Sequence, residues 1–334
     1  MGRGKFIGWL AAGAIAASGI GAAGAREAPG WTLVDLGTLG GPGSYGAAVS
    51  DSGVVVGCSD VAAGGIHAFI YHDGAMHDLE PASVGNSCAL AVNNAGIAAG
   101  RSSTGELVTW SGSAITQLGV HGNVGGINDA GVVVGSFTGG TSTRAFMFAN
   151  GALVALAGDG STATAINARG DIVGTDNGSA YLCRAGAMVS LGTLGGNRSD
   201  AKGVNIHAQV VGLSTDANGQ PLSFLYDGAM RALPVPGNSS AVAINGAGQI
   251  VGSAEGTYGY LIDAGNYSRL DTLPSVAAKS WRHLEPTGIN DRGWIVGTGT
   301  NAEGNLHAFL LVPGNPPIAV AYFARMRDEG GSAR

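Results

Sequence analysis

The chain has 334 residues, of which 60 are Gly, while only 12% are charged and 6% are aromatic. Apolar residues make up 45% of the sequence and are spread along its whole length, which excludes general disorder, and Gly follows no three-residue period, which excludes collagen. The formal net charge of -6, with no basic run beyond the N-terminus, argues against a nucleic-acid partner, because such a partner requires a basic face.

Residues 1–25 have the pattern of a secretory signal peptide. Arg3 and Lys5 supply a positive start, an uncharged stretch runs from Phe6 to Ala25, and its last three residues are small. The alternative is an uncleaved membrane anchor, because 20 uncharged residues can cross a bilayer. The small residues at its end, which form a cleavage site, and the Gly residues in the stretch favour a signal peptide that is cleaved off. We therefore predict a secreted protein, extracellular or periplasmic, with no membrane span in the mature chain.

From residue 26 to 313 the chain is predicted to be one unit repeated seven times. A string of the form Ala/Gly-Ile/Val-Asn-x-x-Gly-x-Ile/Val-Val-Gly recurs without a gap; its third column is Asn in six copies and Ser50 in the first. Successive copies lie 40 residues apart on average, which is typical of the four-stranded blades of a propeller. The copies cover residues 48–57, 91–100, 126–135, 165–174, 203–212, 243–252 and 288–297.

Each string is followed by two short apolar runs with a turn between them. In residues 67–79 the turn is Asp73-Gly74, and later copies have Asn-Gly or Ala-Gly, which are hairpin signals because Gly accepts a positive φ. Each repeat is therefore two hairpins, that is, four short strands.

The two ends of the repeat region complement each other. The last repeat stops after residues 307–311 without its final run, and residues 31–36 supply a run of that type before the first string. Pairing of these segments gives an all-β fold, a seven-bladed β-propeller of four-stranded antiparallel blades closed by the N-terminal strand. The alternative, an open solenoid, would have end repeats that look like caps.

These phrases resemble the bacterial extracellular HAF repeat family. The likeness rests on Leu-Gly-Thr-Leu-Gly-Gly at residues 36–41 and 191–196, on the Asn-x-x-Gly strings, and on His-Ala-Phe at 67–69 and 307–309, and it covers residues 31–313. It implies an extracellular location and leaves the biochemical role open. The C-terminal segment from 314 to 334 departs from the Pro-Glu-Pro sorting signature of many relatives, and we predict it to be a disordered tail.

The sequence holds no common catalytic, metal-binding or cofactor motif. The Gly-x-Gly-x-x-Gly pattern at 41–46 leads into a strand, so no helix N-terminus would receive a pyrophosphate, and no cofactor is predicted. His67 and His307 are predicted to be strand residues bonded to a neighbouring blade and not metal ligands. Cys58 and Cys88 can form a disulfide, with two buried free thiols as the alternative, and Cys183 is expected in the core.

Recognition is predicted on one face of the ring. Asp51, Asp129 and Asp291 follow the third column and are expected to cap their own turns. The other connections vary in length, and in a propeller they emerge together on one rim, where recognition usually lies. The candidate binding residues there are Trp281, Arg282, Lys279, Arg198, Tyr45 and His121.

An exposed Trp281 beside two cations would suit stacking on a sugar or binding an acidic polymer, while the alternative is that Trp281 fills the gap between two blades. Asp200 and Glu285 occupy the same column, five before the Asn, and form an acid pair only if both lean over the channel. We therefore predict a non-catalytic binding module for an extracellular carbohydrate or protein. The alternatives are a polysaccharide hydrolase or lyase and a purely structural protein.

Overall fold

The computed structural model describes residues 30–139 and 142–314. The predicted signal peptide and all but the first residue of the predicted tail lie outside the described residues.

Within the described residues, 27 β-strands form seven blades of four antiparallel strands, with strand β9 shared between two of them. The first strand of each blade is innermost. Blade 1 consists of β2 (Gly40–Val49), β3 (Val55–Val61), β4 (Ile66–His72) and β5 (Ala75–Asp78). Blade 2 consists of β6 (Cys88–Val92), β7 (Ala98–Arg101), β8 (Glu106–Ser111) and the start of β9 (Ala114–Ile127). Blade 3 consists of the rest of β9, β10 (Val133–Gly139), β11 (Ser142–Ala149) and β12 (Ala152–Asp159). Blade 4 consists of β13 (Ser161–Ile166), β14 (Ile172–Asp176), β15 (Ser179–Arg184) and β16 (Ala187–Ser190), and blade 5 of β17 (Gly195–Val204), β18 (Val210–Asp216), β19 (Pro221–Tyr226) and β20 (Met230–Ala232). Blade 6 consists of β21 (Ser239–Ile244), β22 (Ile250–Ala254), β23 (Tyr258–Asp263) and β24 (Asn266–Arg269). Blade 7 consists of β25 (Arg282–Ile289), β26 (Ile295–Thr300), β27 (Leu306–Pro313) and β1 (Trp31–Asp35).

Two local features depart from the simple pattern. Strand β9 passes directly from blade 2 to blade 3, so these two blades form one seven-stranded sheet. The long connection before blade 7 contains a 3-10 turn, Leu270–Thr272, and a short helix α1, Pro274–Ala278, neither of which the sequence analysis predicted.

The first strand closes the ring, as the sequence predicts. Strand β1 pairs antiparallel with β27, with Leu33 opposite Leu311 and Asp35 opposite Phe309. Each blade contacts the next, and β2 of blade 1 contacts β25, β26 and β27 of blade 7. The edge that blade 7 would otherwise expose is therefore covered by residues from the other end of the chain.

The last Gly of the repeated string is required by a close backbone approach. In every blade a β-bulge in the innermost strand brings a carbonyl oxygen against this Gly, so that an added Cβ would lie only 1.9–2.3 Å from it. The same Gly pairs across the ladder with a large buried residue, such as Phe69 opposite Gly57 or Tyr260 opposite Gly252. The missing side chain thus makes room for a bulge on one side and a ring on the other.

The Asn of the third column joins neighbouring blades. Its Oδ1 accepts hydrogen bonds from backbone N–H groups of its own turn, and its Nδ2 donates to the backbone carbonyl of the same column in the next blade. Asn93, for example, donates to the Asn128 carbonyl at 3.1 Å. These side chains are buried, so both ends of each amide are satisfied without water. The further donors and acceptors are Asn128 to Asn167, Asn167 to Asn205, Asn205 to Asn245, Asn245 to Asn290 and Asn290 to Ser50.

A buried serine provides a second link between blades, which the sequence analysis missed. Six residues before the third column, the Ser44 hydroxyl accepts the backbone N–H of Ala308 at 2.9 Å and so joins blade 1 to blade 7. The sequence signal was a Ser in the same column of five repeats. The other four links are Ala68 to Ser87, Ala145 to Ser161, Ala180 to Ser199 and Ser223 to Ser239.

The three cysteines occupy two kinds of environment. Cys58 on β3 and Cys88 on β6 form a disulfide between blades 1 and 2, with their Cα atoms 4.8 Å apart. Cys183 is a free thiol buried in the core, where burial raises its pKa. Of the two alternatives for Cys58 and Cys88, the structure therefore contains the disulfide, and Cys183 lies in the core as expected.

Candidate functional site

The most promising cavity lies on the face where the variable connections emerge. It has a volume of about 440 Å³ and sits beside the innermost strand of blade 7. We call it the rim cavity. Its lining residues come from blades 1, 6 and 7 and are Tyr45, Gly256, Thr257, His283, Glu285, Thr298, Thr300 and Leu306.

Tyr45 contributes an exposed aromatic ring to this cavity. It lies on β2, opposite Cys58, and is 41% exposed, although most large side chains of the described chain face a core. Tyr45 occupies the column five before the third-column residue, and the other repeats carry no aromatic residue there. Its hydroxyl makes no hydrogen bond with the described residues. The ring and the hydroxyl are therefore both available to a ligand.

Glu285 and His283 bring polar groups to the same cavity. Glu285 lies on β25 opposite Thr298, and the ladder is irregular between Arg282 and Glu285. His283 sits in that irregularity with φ of 51°, a conformation that is uncommon for a residue other than Gly. Both side chains are exposed and make no hydrogen bond or ion pair within the described part of the chain. The cavity thus offers an aromatic face, a carboxylate, an imidazole and the hydroxyls of three threonines.

His283, Thr298, Thr300 and Leu306 were not predicted as site residues. Thr298 and Thr300 alternate along β26, which is a pattern that could have indicated one shared face. His283 had no such signal, because an irregular strand removes the alternation from which a direction is inferred.

The structure corrects the predicted position of Trp281. Its side chain is only 6% exposed and packs in the apolar core between blades 6 and 7, against residues that include Leu284 and Val276. Its ring meets that of Phe309 edge to face, with centroids 6.3 Å apart. The prediction of an exposed stacking surface is therefore wrong, and the alternative is correct: Trp281 fills the space between two blades.

The two cations beside Trp281 also differ from the prediction. The Lys279 ammonium donates a hydrogen bond to the Leu33 carbonyl of β1 at 2.8 Å, so it secures the closing strand. Arg282 is exposed and has no hydrogen-bond or ion-pair partner among the described residues, but it does not line the rim cavity.

The remaining predicted residues lie elsewhere. Arg198 pairs with Asp200 at 2.8 Å, and Asp200 also accepts a hydrogen bond from Thr175. His121 donates from Nδ1 to the Gly105 carbonyl at 2.9 Å. Asp200 does not line the cavity that Glu285 lines, so the structure gives no support for an acid pair. Of the predicted binding and acid residues, Tyr45 and Glu285 line one cavity, and Arg198 and Asp200 pair directly.

The opposite face carries the Asn-x-x-Gly turns around the end of the central channel, where a cavity of about 340 Å³ opens. The Asp51 carboxylate accepts the Asp291 backbone N–H at 2.7 Å, and the Asp129 carboxylate accepts that of Asn94 at 2.9 Å. These acids therefore join neighbouring blades. The prediction that they cap their own turns is wrong. No group of three or more His, Cys, Asp or Glu side chains in the described chain is arranged to hold a metal ion.

The two repeat histidines also have partners other than those predicted. His67 bonds to Asp78 and His307 to Asp35, in each case on the adjacent strand of the same blade and not in a neighbouring blade. No helix among the described residues has the length and apolar character needed to cross a membrane.

Comparison with known proteins identifies the fold. No protein family profile and no curated protein sequence matches the chain. Among solved structures it is similar to YCF48 bound to D1 peptide, with a TM-score of 0.50 and 11% identity over 86% of this chain and 99% of that one. It is also similar to the WD40 β-propeller domain of Doa1, with a TM-score of 0.51 and 15% identity over 84% of this chain and 97% of that one.

A third similar structure is an acylaminoacyl peptidase from Pyrococcus horikoshii, with a TM-score of 0.52 and 12% identity over 80% of this chain and 51% of that one. The chain thus spans about half the length of that peptidase. Identities this low show a shared fold alone, and the chain is a β-propeller. One of these neighbours, YCF48, was solved with a bound peptide.

Proposed function

We propose that this protein is a secreted or surface-associated binding module and that the rim cavity holds a carbohydrate without changing it chemically. The observation that carries the proposal is the exposed Tyr45 ring beside the unpaired Glu285 carboxylate in one cavity. An aromatic face suits the apolar C–H face of a sugar ring, while a carboxylate and an imidazole suit its hydroxyl groups.

The polar side chains of the rim cavity are free to bind a ligand, because no other group in the described part of the chain is bonded to them. Glu285 and His283 have no hydrogen-bond partners among the described residues, whereas Asp200, in the same column as Glu285, is occupied by Arg198 and Thr175. A ligand at the rim cavity would therefore replace water and no protein contact. Without a second carboxylate lining the same cavity, the two-carboxylate mechanism of most glycoside hydrolases has no support there.

Secretion is supported by two features that are independent of the cavity. The Cys58–Cys88 disulfide is typical of an oxidising compartment, and residues 1–25 have the composition of a signal peptide. The resemblance to the extracellular HAF repeat family agrees with both. We therefore place the carbohydrate ligand outside the cytoplasm, on a polysaccharide or glycoprotein of the periplasm or cell exterior.

The test is a glycan array followed by calorimetric titration of the best ligand. We expect Tyr45→Ala to weaken binding at least about tenfold, which corresponds to ~1.4 kcal/mol, and Tyr45→Phe to retain most of it. Glu285→Gln should also weaken binding, whereas Glu303→Gln should not, because Glu303 is an exposed acid of blade 7 outside the cavity.

Three results would contradict this proposal. Binding that survives Tyr45→Ala would show that the rim cavity is not the site. Capture of an extracellular protein with no glycan binding would favour a protein ligand. No binding of either kind would favour a structural role.

A further inference from the structure

A second group of side chains, at the outer strands of blade 1 and the connection that follows them, has the arrangement of a nucleophilic centre. His67 lies on β4 and is 5% exposed. Its Nδ1 donates to Asp78 Oδ2 at 2.7 Å, and Asp78 Oδ1 accepts the Glu80 backbone N–H at 2.8 Å. A proton on Nδ1 leaves Nε2 of the neutral imidazole as an acceptor.

The acceptor faces a serine hydroxyl. Ser83 Oγ lies 3.4 Å from His67 Nε2, which is within the looser range seen in catalytic sites without a bound substrate. The Gly85 carbonyl oxygen, also 3.4 Å from Oγ, is the second acceptor within reach of the hydroxyl. Ser83 is held by a turn, in which its N–H donates to the Glu80 carbonyl at 3.0 Å. The connection is anchored to β4 at both ends, by Leu79 to the Ala68 carbonyl and Ser87 to the Ile66 carbonyl. The serine is therefore positioned by backbone contacts and does not depend on the histidine for its place.

Blade 7 shows which part of this arrangement belongs to the repeat. His307 Nδ1 donates to Asp35 at 2.9 Å, and Asp35 accepts the Gly37 backbone N–H at 2.9 Å, just as in blade 1. No hydroxyl bonds to Nε2 of His307 in the described chain. The His–Asp pair is therefore a feature of both blades, and the serine is an addition that only blade 1 has.

Ser83 also lines a cavity of about 440 Å³, which a substrate could enter. The cavity walls include the apolar side chains of Leu79, Val108 and Ile115, and Ile115 is 51% exposed. Glu80 lines it as well; its Oε2 accepts the Ser103 N–H at 3.0 Å, while Oε1 is buried without a partner. A carboxyl group in the wall disfavours acidic substrates, and the apolar side chains favour neutral acyl groups.

We propose that Ser83, His67 and Asp78 form a hydrolase centre for short-chain neutral carboxylic esters. Such a triad is recognised by its geometry, because its members occur in different chain orders on unrelated folds. Ser83 is the nucleophile, His67 the general base, and Asp78 a positioning residue. The backbone N–H of Val84, which follows the nucleophile, makes no hydrogen bond with the described residues and is available to an oxyanion.

The chemical steps balance with water as the only co-reactant. Ser83 Oγ attacks the ester carbonyl carbon while its proton passes to His67 Nε2, and the tetrahedral intermediate then expels the alcohol, which takes that proton. Water next attacks the acyl-serine ester, giving its proton to His67, and the carboxylic acid leaves as Ser83 regains the proton. One C–O bond of the ester is broken, one is formed to water, and the protein returns to its starting state.

The experiment uses the full-length chain with its disulfide intact, p-nitrophenyl acetate as substrate, and a fluorophosphonate probe located by mass spectrometry. We expect ester hydrolysis above the buffer rate and a single phosphonate adduct on Ser83. Ser83→Ala should lower hydrolysis at least about hundredfold and remove the adduct, and Asp78→Asn should also lower it. Two matched controls should leave both readouts unchanged: Ser113→Ala, an exposed serine, and His307→Gln, which alters the blade 7 pair that lacks a serine.

The outcomes are distinguishable. Hydrolysis by Ser83→Ala equal to that of the parent, an adduct on another residue, or no hydrolysis by a parent whose circular dichroism shows it folded would each overturn the proposal. Because Ser83 does not line the rim cavity, Ser83→Ala should bind carbohydrate as the parent does, so this test is independent of the proposed function. Ser83 lies on an irregular connection, so the Ala variant should fold even if His67 variants do not.

Discussion

The Asn290 side chain of the last repeat donates a hydrogen bond from Nδ2 to the backbone carbonyl of Ser50 in the first repeat, at 2.8 Å and across 240 residues of chain. The same amide accepts the backbone N–H groups of Arg292 and Trp294 through Oδ1. One buried side chain thus holds a local turn and joins the first and last blades.

Replacement of Asn290 should separate these two roles. Asn290→Ala removes the two hydrogen bonds that Oδ1 accepts and the one that Nδ2 donates to Ser50, and we expect it to lower the free energy of unfolding by about 1–3 kcal/mol. Asn290→Asp keeps the acceptor of the turn and loses the donor to Ser50, so it isolates the contact between blades. Urea unfolding measures both, with Asn266→Ala on the exposed outer strand β24 as the control. Equal stability of Asn290→Ala and the parent would contradict a closing role.

Two Gly residues of the sixth repeat should respond to Ala for different reasons. Gly248 has φ of 79° and nothing within 4 Å of an added Cβ, so Gly248→Ala should cost about 1–2 kcal/mol from backbone strain alone. At Gly252 an added Cβ would lie 2.3 Å from the Ser240 carbonyl oxygen, and the bulge would have to shift. We expect Gly252→Ala to cost about 3 kcal/mol, more than Gly248→Ala, in thermal or urea unfolding. The reverse order of the two variants would refute this account.

Trp281 should prove to be a stability residue. Trp281→Ala removes a large ring from the core between blades 6 and 7, and we expect a loss of about 3–5 kcal/mol in the free energy of unfolding. Carbohydrate affinity, measured at a temperature where the variant is folded, should stay within about twofold of the parent, since Trp281 lies outside the rim cavity. Arg282→Ala, next to it but exposed, should change stability by less than about 0.5 kcal/mol.

Asp171 should make blade 4 sensitive to acid. Burial by itself raises the pKa of this carboxyl, but hydrogen bonds from Arg184 and Asn167 outweigh burial and hold the pKa below its ordinary value of 3.8. A carboxyl whose pKa is lower in the folded state stabilises the fold at pH values above its unfolded pKa, and this contribution is lost as pH falls through the folded pKa. Asp171→Asn should therefore lower stability at pH 7, and its difference from the parent should shrink below about pH 4.

The measurement is urea unfolding of both proteins across that pH range. Asp227→Asn is the matched control, because Asp227 is an exposed acid whose ion pair with Arg231 lies at the surface. A difference between Asp171→Asn and the parent that is independent of pH would contradict the assignment.

The repeat architecture was readable from the sequence because each of its determinants is local or periodic. A positive φ at Gly248, a bulge opposite Gly252, and a hairpin at Asp73-Gly74 each select residue types within a few positions, and seven copies make the selection visible. The pairing of β1 with β27 followed because one repeat lacked the strand that the other terminus supplied.

The candidate site was only partly readable, because it depends on which side chains different blades bring together. Tyr45 and Glu285 lie in one column of the repeat, yet only the closed ring makes their blades neighbours and places His283 with them. The direction of Trp281, into the core and not into solvent, was likewise decided by α1 and the space beside Phe309.

The sequence by itself thus determined the number of blades, their order and the strand that closes them, since these follow from backbone conformations written into every repeat. Only the tertiary structure decided which side chains are free, which are buried, and that Ser83 faces His67, because burial and contact between elements are set by packing in three dimensions and leave no periodic trace in the chain.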